Sequence, residues 1–182
     1  ISSVVGVNGA VSSVGLTGAA MQMFTHGTIT GLLFLLVGLI YDKAHTRHIP
    51  DMGGLATRMP GFATVFVVAG LASLGLPSTS GFVSELLVFL GTFPVWSWAT
   101  ALAVFGIVVT AGYILWMLQR VLFGPSLPRF AQVGDATPIE MLPIAALVIA
   151  IMVIGIYPAL LTEVFEAGIE PIVHSLQLAA GP

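Results

Sequence analysis

The sequence predicts an all-α integral membrane protein, a bundle of transmembrane helices followed by an amphipathic tail. Apolar residues make up 57% of the 182 residues and charged residues only 7%, whereas soluble domains carry about 25% charged residues. The mean hydropathy is +1.06. A soluble chain of this composition would expose large apolar patches to water, so a lipid environment fits it better. The small net charge of −3, without a basic block, argues against a nucleic-acid partner.

Three stretches are apolar and long enough to cross a hydrocarbon core about 30 Å thick. They are residues 18–40, 98–122 and 141–161. The first holds no Asp, Glu, Lys or Arg in 23 residues, which make about 34 Å of helix. Residues 1–17 predict the end of a further helix and a polar turn. Because the chain begins at Ile1, inside an apolar segment, we expect residues 1–182 to be one transmembrane domain, the carboxy-terminal part of a larger polytopic subunit.

A fourth apolar stretch, residues 61–93, has the wrong length for a regular span. Its 33 residues would make a helix of about 50 Å, too long for one crossing and too short for two. Gly75, Pro77 and Gly81 lie in its middle and disfavour a continuous helix. We therefore predict two half-helices, 61–75 and 82–93, joined at membrane depth.

The positions of the basic residues support a single broken crossing. All five fall within or beside the loops 41–60 and 119–138, which share one side of the membrane only if residues 61–93 cross once. Basic loops face the cytoplasm. The tail, residues 162–182, has acids at helical spacing and no Lys or Arg, so we predict an amphipathic segment on the outer surface, interrupted at Pro171.

Glu85 follows the predicted break and is the one acid inside the apolar part of a span. An ionisable residue at membrane depth is by default a functional candidate, and broken helices recur at ion sites of transporters. We expect Glu85 in the first turn of the second half-helix, as a group that takes up and releases a proton. The alternative is a structural cap for that half-helix.

His26 is the second candidate, because Gln22, His26 and Thr30 recur every four residues along an apolar helix. Such a stripe is expected to face the bundle interior, where a His can relay protons or act as hydrogen-bonding glue between helices. Ser84, Thr110 and Tyr113 supply further polar groups on the other spans.

The loop after the first span holds His45 and His48 beside Asp42 and Asp51. Two His without closing ligands are a weak metal signal, so a solvated loop is the preferred interpretation and no metal site is predicted. The chain has no Cys, which excludes Cys-ligated zinc and Fe–S clusters.

Five separated motifs resemble one family, the M subunits of NADH–quinone oxidoreductase, which are antiporter-like subunits of its membrane arm. The motifs are Met21–Gly27, Leu35–Asp42, His45–Arg47, Gly53–Leu55 and Gly75–Glu85. The resemblance implies the last helices of a subunit with about fourteen helices and two inverted repeats, in which residues 61–93 form the second broken helix. It also assigns the terminal proton-carrying acid to Glu85 and the relay histidine to His26. The family's upstream acid and lysines have no counterpart here, so this chain alone is expected to lack a complete proton path.

The resemblance further implies a proton-translocating subunit that couples quinone reduction elsewhere to proton transport, with no redox chemistry on this chain. NAD, flavin, Fe–S and quinone sites are then expected on other subunits, and the partners are other membrane-arm subunits, the lipid bilayer and protons. The alternative is a subunit of a multi-chain sodium/proton antiporter or of a membrane-bound hydrogenase. A bacterial plasma membrane, or an inner organellar membrane, is the expected location.

Overall fold

The computed structural model describes residues 12–180, and this part of the chain is helical without strands. Three short 3₁₀ turns lie in its loops. The six α-helices are α1 (Ser13–Ala44), α2 (Pro60–Ser73), α3 (Ser80–Thr92), α4 (Ser97–Leu122), α5 (Pro138–Ile156) and α6 (Ala159–Ala180). By length and composition α1, α4 and α5 are able to cross a membrane, whereas α2 and α3 are shorter apolar helices. This confirms the predicted helical membrane bundle.

Helix α1 is longer than the predicted span because both of its ends are capped. The Ser12 hydroxyl accepts a hydrogen bond from the Gly15 N–H at 3.1 Å, which satisfies one of the free donors of the first turn. At the other end His45 takes a left-handed conformation with φ of 51°, a common helix stop. Residues 13–17 are therefore helical rather than the predicted turn, and residues 1–11 of that prediction lie outside the described residues.

The predicted break is confirmed, and it lies between Ser73 and Ser80. Gly75 and Ser78 both have positive φ, 69° and 78°, so two residues of this segment have a left-handed backbone conformation that an α-helix cannot contain. The Thr79 backbone N–H and hydroxyl both donate to the Leu76 carbonyl, at 3.1 and 2.7 Å. These local bonds satisfy backbone groups that a continuous helix would otherwise pair.

The broken helix crosses once, because the two basic loops meet at the same end of the bundle. The Gly54 N–H donates to the Phe123 carbonyl at 3.1 Å, and the Arg58 side chain reaches the Ser126 hydroxyl at 3.5 Å. Helix α4 therefore returns the chain to the side on which α2 began. We call this the loop side.

Close packing in the bundle depends on glycine, as expected where lipid removes the hydrophobic drive between helices. A Cβ at Gly91 of α3 would collide with the Gly15 backbone of α1. A Cβ at Gly18 would lie 2.7 Å from the Val88 backbone nitrogen. The carboxy-terminal half of α3 therefore lies directly against the amino-terminal part of α1.

Helix α6 departs from the prediction in one respect. Its amphipathic character is present, because Ile169 and Val173 are each 9% exposed while the acids at 163, 166 and 170 are exposed. Pro171, however, lies inside the continuous helix Ala159–Ala180 and does not interrupt it. The reason is that Pro171 is exposed, so the carbonyl that it leaves unpaired can be solvated.

Candidate functional site

Glu85 lies on α3 shortly after the break, in the second turn of the helix rather than in the expected first turn. It is the sixth residue of the helix, and the first turn holds no acid. In this structure Glu85 therefore makes no capping contact at the amino end of α3. Its side chain bends back to the break, so a Cβ at Gly75 would lie only 2.7 Å from Glu85 Oε2. A glycine at position 75 leaves room for the carboxylate beside the non-helical backbone.

The Glu85 carboxylate opens onto a cavity of about 310 Å³ between α1, α2, α3 and α4. Gln22 of α1 and Thr110 of α4 line the same cavity, so two predicted supporting groups lie in it with Glu85. The rest of the wall is mostly apolar and includes Val88, Phe89 and Ile107. Within the described part of the chain, the partly buried Glu85 carboxylate has no hydrogen-bond or ion-pair partner.

A buried polar cluster joins α1 to α3 beside this cavity. The Ser84 hydroxyl lies 2.9 Å from the Thr25 hydroxyl, and it also donates to the Gln22 side-chain oxygen. Both Ser84 and Thr25 are fully buried. The cluster holds the Gln22 side chain at the edge of the Glu85 cavity, whereas Ser84 itself does not line that cavity.

His26 and Tyr113 are not brought to this cavity. His26 is exposed within the described residues, Tyr113 is 57% exposed, and Thr30 donates to the His26 backbone carbonyl at 2.5 Å. Side chains four residues apart on a helix are rotated by about 40°, so the predicted stripe turns away from α3 after Gln22. The interior-facing expectation therefore holds for Gln22 and not, among residues 12–180, for His26.

Thr25 is a residue of this site that was not predicted from the sequence. It lies on the buried face of α1 with Met21 and Ile29, residues spaced by four along the helix. The spacing of Met21, Thr25 and Ile29 by four residues could have identified Thr25 from the sequence, because a Thr on the apolar face of a helix faces a neighbouring helix.

A second polar cluster lies at the loop side. The Lys43 ammonium forms an ion pair with Glu140 at 3.0 Å, and the Asp135 carboxylate accepts hydrogen bonds from the Gly61 and Phe62 backbone N–H groups at 2.6 and 3.0 Å. Burial alone would raise the pKa of Asp135, but these N–H groups, a third from Ala136 and the charge of Lys43 outweigh it. The pKa of Asp135 is therefore held below its usual value.

The His-containing loop pairs His48 with Asp51, whose Nδ1 and Oδ2 atoms are 3.2 Å apart. Among residues 12–180, no three His, Asp or Glu side chains are arranged to hold a metal ion.

The chain is similar to subunits of known membrane-protein complexes. It is 40% identical over 173 residues to NADH-quinone oxidoreductase subunit M of Rhodobacter capsulatus, a match that covers 94% of this chain and 34% of the relative. It is 38% identical over 179 residues to NAD(P)H-quinone oxidoreductase chain 4 2 of Synechococcus sp. (strain JA-3-3Ab), covering 93% and 34%. The chain thus spans about a third of the length of these relatives.

Two solved structures share the fold. Respiratory complex I from Thermus thermophilus with bound NADH matches with a TM-score of 0.79 and 28% identity, over 93% of this chain and 36% of the matched chain. The Mrp complex from Dietzia sp. DQ12-45-1b matches with a TM-score of 0.78 and 20% identity, over 93% and 40%. Residues 4–110 match the family model described as NADH:quinone oxidoreductase/Mrp antiporter, TM. Since that match covers more than half of the sequence, the chain belongs to the NADH:quinone oxidoreductase/Mrp antiporter transmembrane family.

Proposed function

We propose that the chain is part of a proton-translocating membrane-arm subunit of an NADH–quinone oxidoreductase, and that Glu85 is a proton carrier within it. The observation that carries the proposal is an unpaired carboxylate at a helix break, opening onto a cavity shared with Gln22 and Thr110. Polar groups at membrane depth mark ion pathways. The names of the relatives support this choice of complex.

In this proposal the chain carries no redox chemistry. NAD, flavin, Fe–S and quinone bind to other subunits, and electron transfer there changes the proton affinity of Glu85. Moving one charge against 100 mV costs about 2.3 kcal/mol, so the proton affinity must differ by about 50-fold between the loading and the releasing state. Closing and opening the cavity around one carboxylate is sufficient for a change of that size.

His26 is proposed as the relay that exchanges protons with the Glu85 cavity through Gln22. The support is positional, because His26 follows Gln22 by one helical turn on α1. Its exposed position in the described chain leaves it accessible to groups of the remaining subunit.

The loops 41–60 and 119–138 are proposed to face the cytoplasm, and the tail 162–182 the outside of a bacterial plasma membrane or its organellar equivalent. All five Lys and Arg residues lie in or next to these two loops, which meet at the loop side. The positive-inside rule then assigns the loop side to the cytoplasm.

The test of this function replaces Glu85 by Gln in the intact complex. Gln keeps the size of the side chain and cannot titrate, so we expect normal assembly with a large loss of NADH-driven proton pumping in inverted membrane vesicles. The coupled quinone reductase rate should fall with it. Glu166→Gln is the matched control, because Glu166 is an exposed acid on α6 and its loss should leave both rates intact.

Unchanged pumping in Glu85→Gln would remove Glu85 from the proton path. The family also includes Mrp antiporters, so the second candidate function is a subunit of a multi-chain sodium/proton antiporter. Transport that requires sodium, and proceeds without NADH, would select the antiporter instead.

A further inference from the structure

The amino end of the half-helix α2 is held by a carboxylate from a distant loop. The residue that precedes α2, Met59, provides no side-chain cap, and Pro60 at the first helical position has no N–H. The next two backbone donors, of Gly61 and Phe62, both bind Asp135. A charged acceptor at a helix amino terminus satisfies free donors and complements the helix dipole. Asp135 is thus a cap supplied from 73 residues further along the chain.

The approach of Asp135 is close and depends on Gly61. A Cβ at position 61 would lie 2.9 Å from Asp135 Oδ2, so any larger residue there would push the carboxylate away. Ala136 donates its own N–H to Asp135 Oδ1 at 2.8 Å, which fixes the orientation of the carboxylate. The contact is therefore specific to one side chain in one position.

Charges connect this cap to two other helix ends. Lys43, in the last turn of α1, forms an ion pair with Glu140 at 3.0 Å. Glu140 in turn belongs to the capping box of α5, where its carboxylate accepts from the Thr137 N–H at 2.6 Å. We call Lys43, Asp135 and Glu140 the loop-side latch, because together they bind the ends of α1, α2 and α5.

Helix α2 transmits the position of the latch to the break. From Pro60 to Ser73 it is a 14-residue helix, about 21 Å long. Helices can shift as units in conformational transitions, so we expect a displacement at Gly61 to reach Gly75, two residues beyond the end of α2, where the backbone lies against Glu85 Oε2.

We propose that Asp135 is a positioning residue for Glu85: by fixing the amino end of α2 it sets how closely Gly75 covers the Glu85 carboxylate. The proposal rests on the proposed function only in giving Glu85 its role as proton carrier. The geometry of the latch stands without it.

The experiment measures access to Glu85 directly, in the assembled complex in membranes. A hydrophobic carbodiimide adds to a protonated carboxyl group and leaves a stable N-acylurea, so the rate of adduct formation on Glu85, followed by mass spectrometry, reports how open the carboxyl is. Asp135→Asn is nearly isosteric but retains one acceptor oxygen in place of two. We expect it to change the rate of labelling by about threefold or more, in the range of couplings through packed elements.

Asp51→Asn is the matched control. It makes the same chemical change in another loop, at an exposed acid paired only with His48, and it should leave the rate unchanged. If Asp135→Asn prevents assembly, Gly61→Ala provides a milder displacement of the same carboxylate. The same change in labelling is expected for it.

Equal labelling rates in wild type and Asp135→Asn, with normal complex levels, would overturn the proposal even if pumping were lower. Failure of the proposed function is seen separately, as intact pumping in Glu85→Gln. The labelling assay needs a reactive Glu85 and not a working one, so the two outcomes are distinguishable.

Discussion

At the scale of single residues, the non-helical backbone of the break is covered by residues of neighbouring helices. Gly155 of α5 packs onto the backbone of Ser78 and Thr79, and a Cβ there would overlap both. Because non-helical backbone at membrane depth needs protein or water around it, this contact shields one side of the break. Ile29 of α1 lies beside Gly81 on another side.

We expect Gly155→Ala to lower the stability of the assembled subunit by about 1–3 kcal/mol, the usual cost of forcing an extra methyl group into a packed site. The measurement is the loss of assembled complex on heating in detergent. Gly112→Ala is the control, since a Cβ at Gly112 meets nothing within 4 Å. If the Gly155 variant were as stable as the Gly112 variant, α5 would be able to move away from the break without loss of stability.

The parts of the site that could be predicted are those where a residue is unusual for its segment, such as an acid or a helix-breaking residue in an apolar stretch. Glu85 is the only acid in an apolar stretch, and Gly75 and Pro77 mark the break beside it, so both were found from sequence. Asp135 was not, because a loop Asp is unremarkable until the fold brings α2 to it. Its partners are backbone N–H groups, which leave no trace in a sequence pattern.

At the scale of helices, the two halves of the broken crossing make their tightest contacts at different places, although both pack against α1, α4 and α5. Helix α3 packs chiefly against α1 through Gly15, Gly18 and Gly91. Helix α2 is tied to the loop side by Asp135 and to α4 at Gly70, where a Cβ would lie 2.9 Å from Leu118. The closest backbone approaches of the two half-helices are therefore made to different parts of the bundle.

The amino end of α2 should respond to pH through Asp135. Its folded pKa is below the unfolded value, which is about 3.9. The capping contribution is thus fully present above about pH 4–5 and is lost as the pH falls through the folded pKa. Hydrogen-exchange protection of the Gly61 and Phe62 amides, corrected for the intrinsic rate, should stay constant from pH 8 to pH 5 and decrease as the pH falls further, through the folded pKa of Asp135.

In Asp135→Asn the same amides should be less protected from pH 8 to pH 5, where the wild-type carboxylate is ionised. Equal protection in the variant and the wild type over this range would mean that the carboxylate does not hold α2. This element-scale result does not depend on any pumping measurement.

At the scale of the whole molecule, the arrangement of loops fixes the number of crossings. The chain has no Cys, so single Cys residues introduced at Thr46, Ser126 and Gln177 are unambiguous markers. We expect a membrane-impermeant maleimide to label positions 46 and 126 from the cytoplasmic side and position 177 from the opposite side. Labelling of 46 and 126 from opposite sides would contradict a single broken crossing.

The overall architecture could be predicted from the sequence, because the length of an uncharged stretch and the positions of Gly and Pro determine locally where a helix spans or breaks. The ends of α1 and the continuity of α6 through Pro171 did not follow, since each depends on a cap or on solvent exposure that only the folded chain provides. The exposure of His26 has the same origin, because the rotation of a stripe relative to its neighbours is decided by the packing of α1 on α3.

The crossing of Gly15 and Gly91 has a mechanical consequence. The two backbones are in direct contact with no side chain between them, so a tilt of α3 against α1 would have this crossing as its fulcrum. Glu85 lies six residues from Gly91, a lever arm of about 9 Å. A tilt of about 10° then swings the carboxylate end by about 1.5 Å, enough to make or break one hydrogen bond. A small rocking movement at a fixed pivot is therefore sufficient to gate the acid.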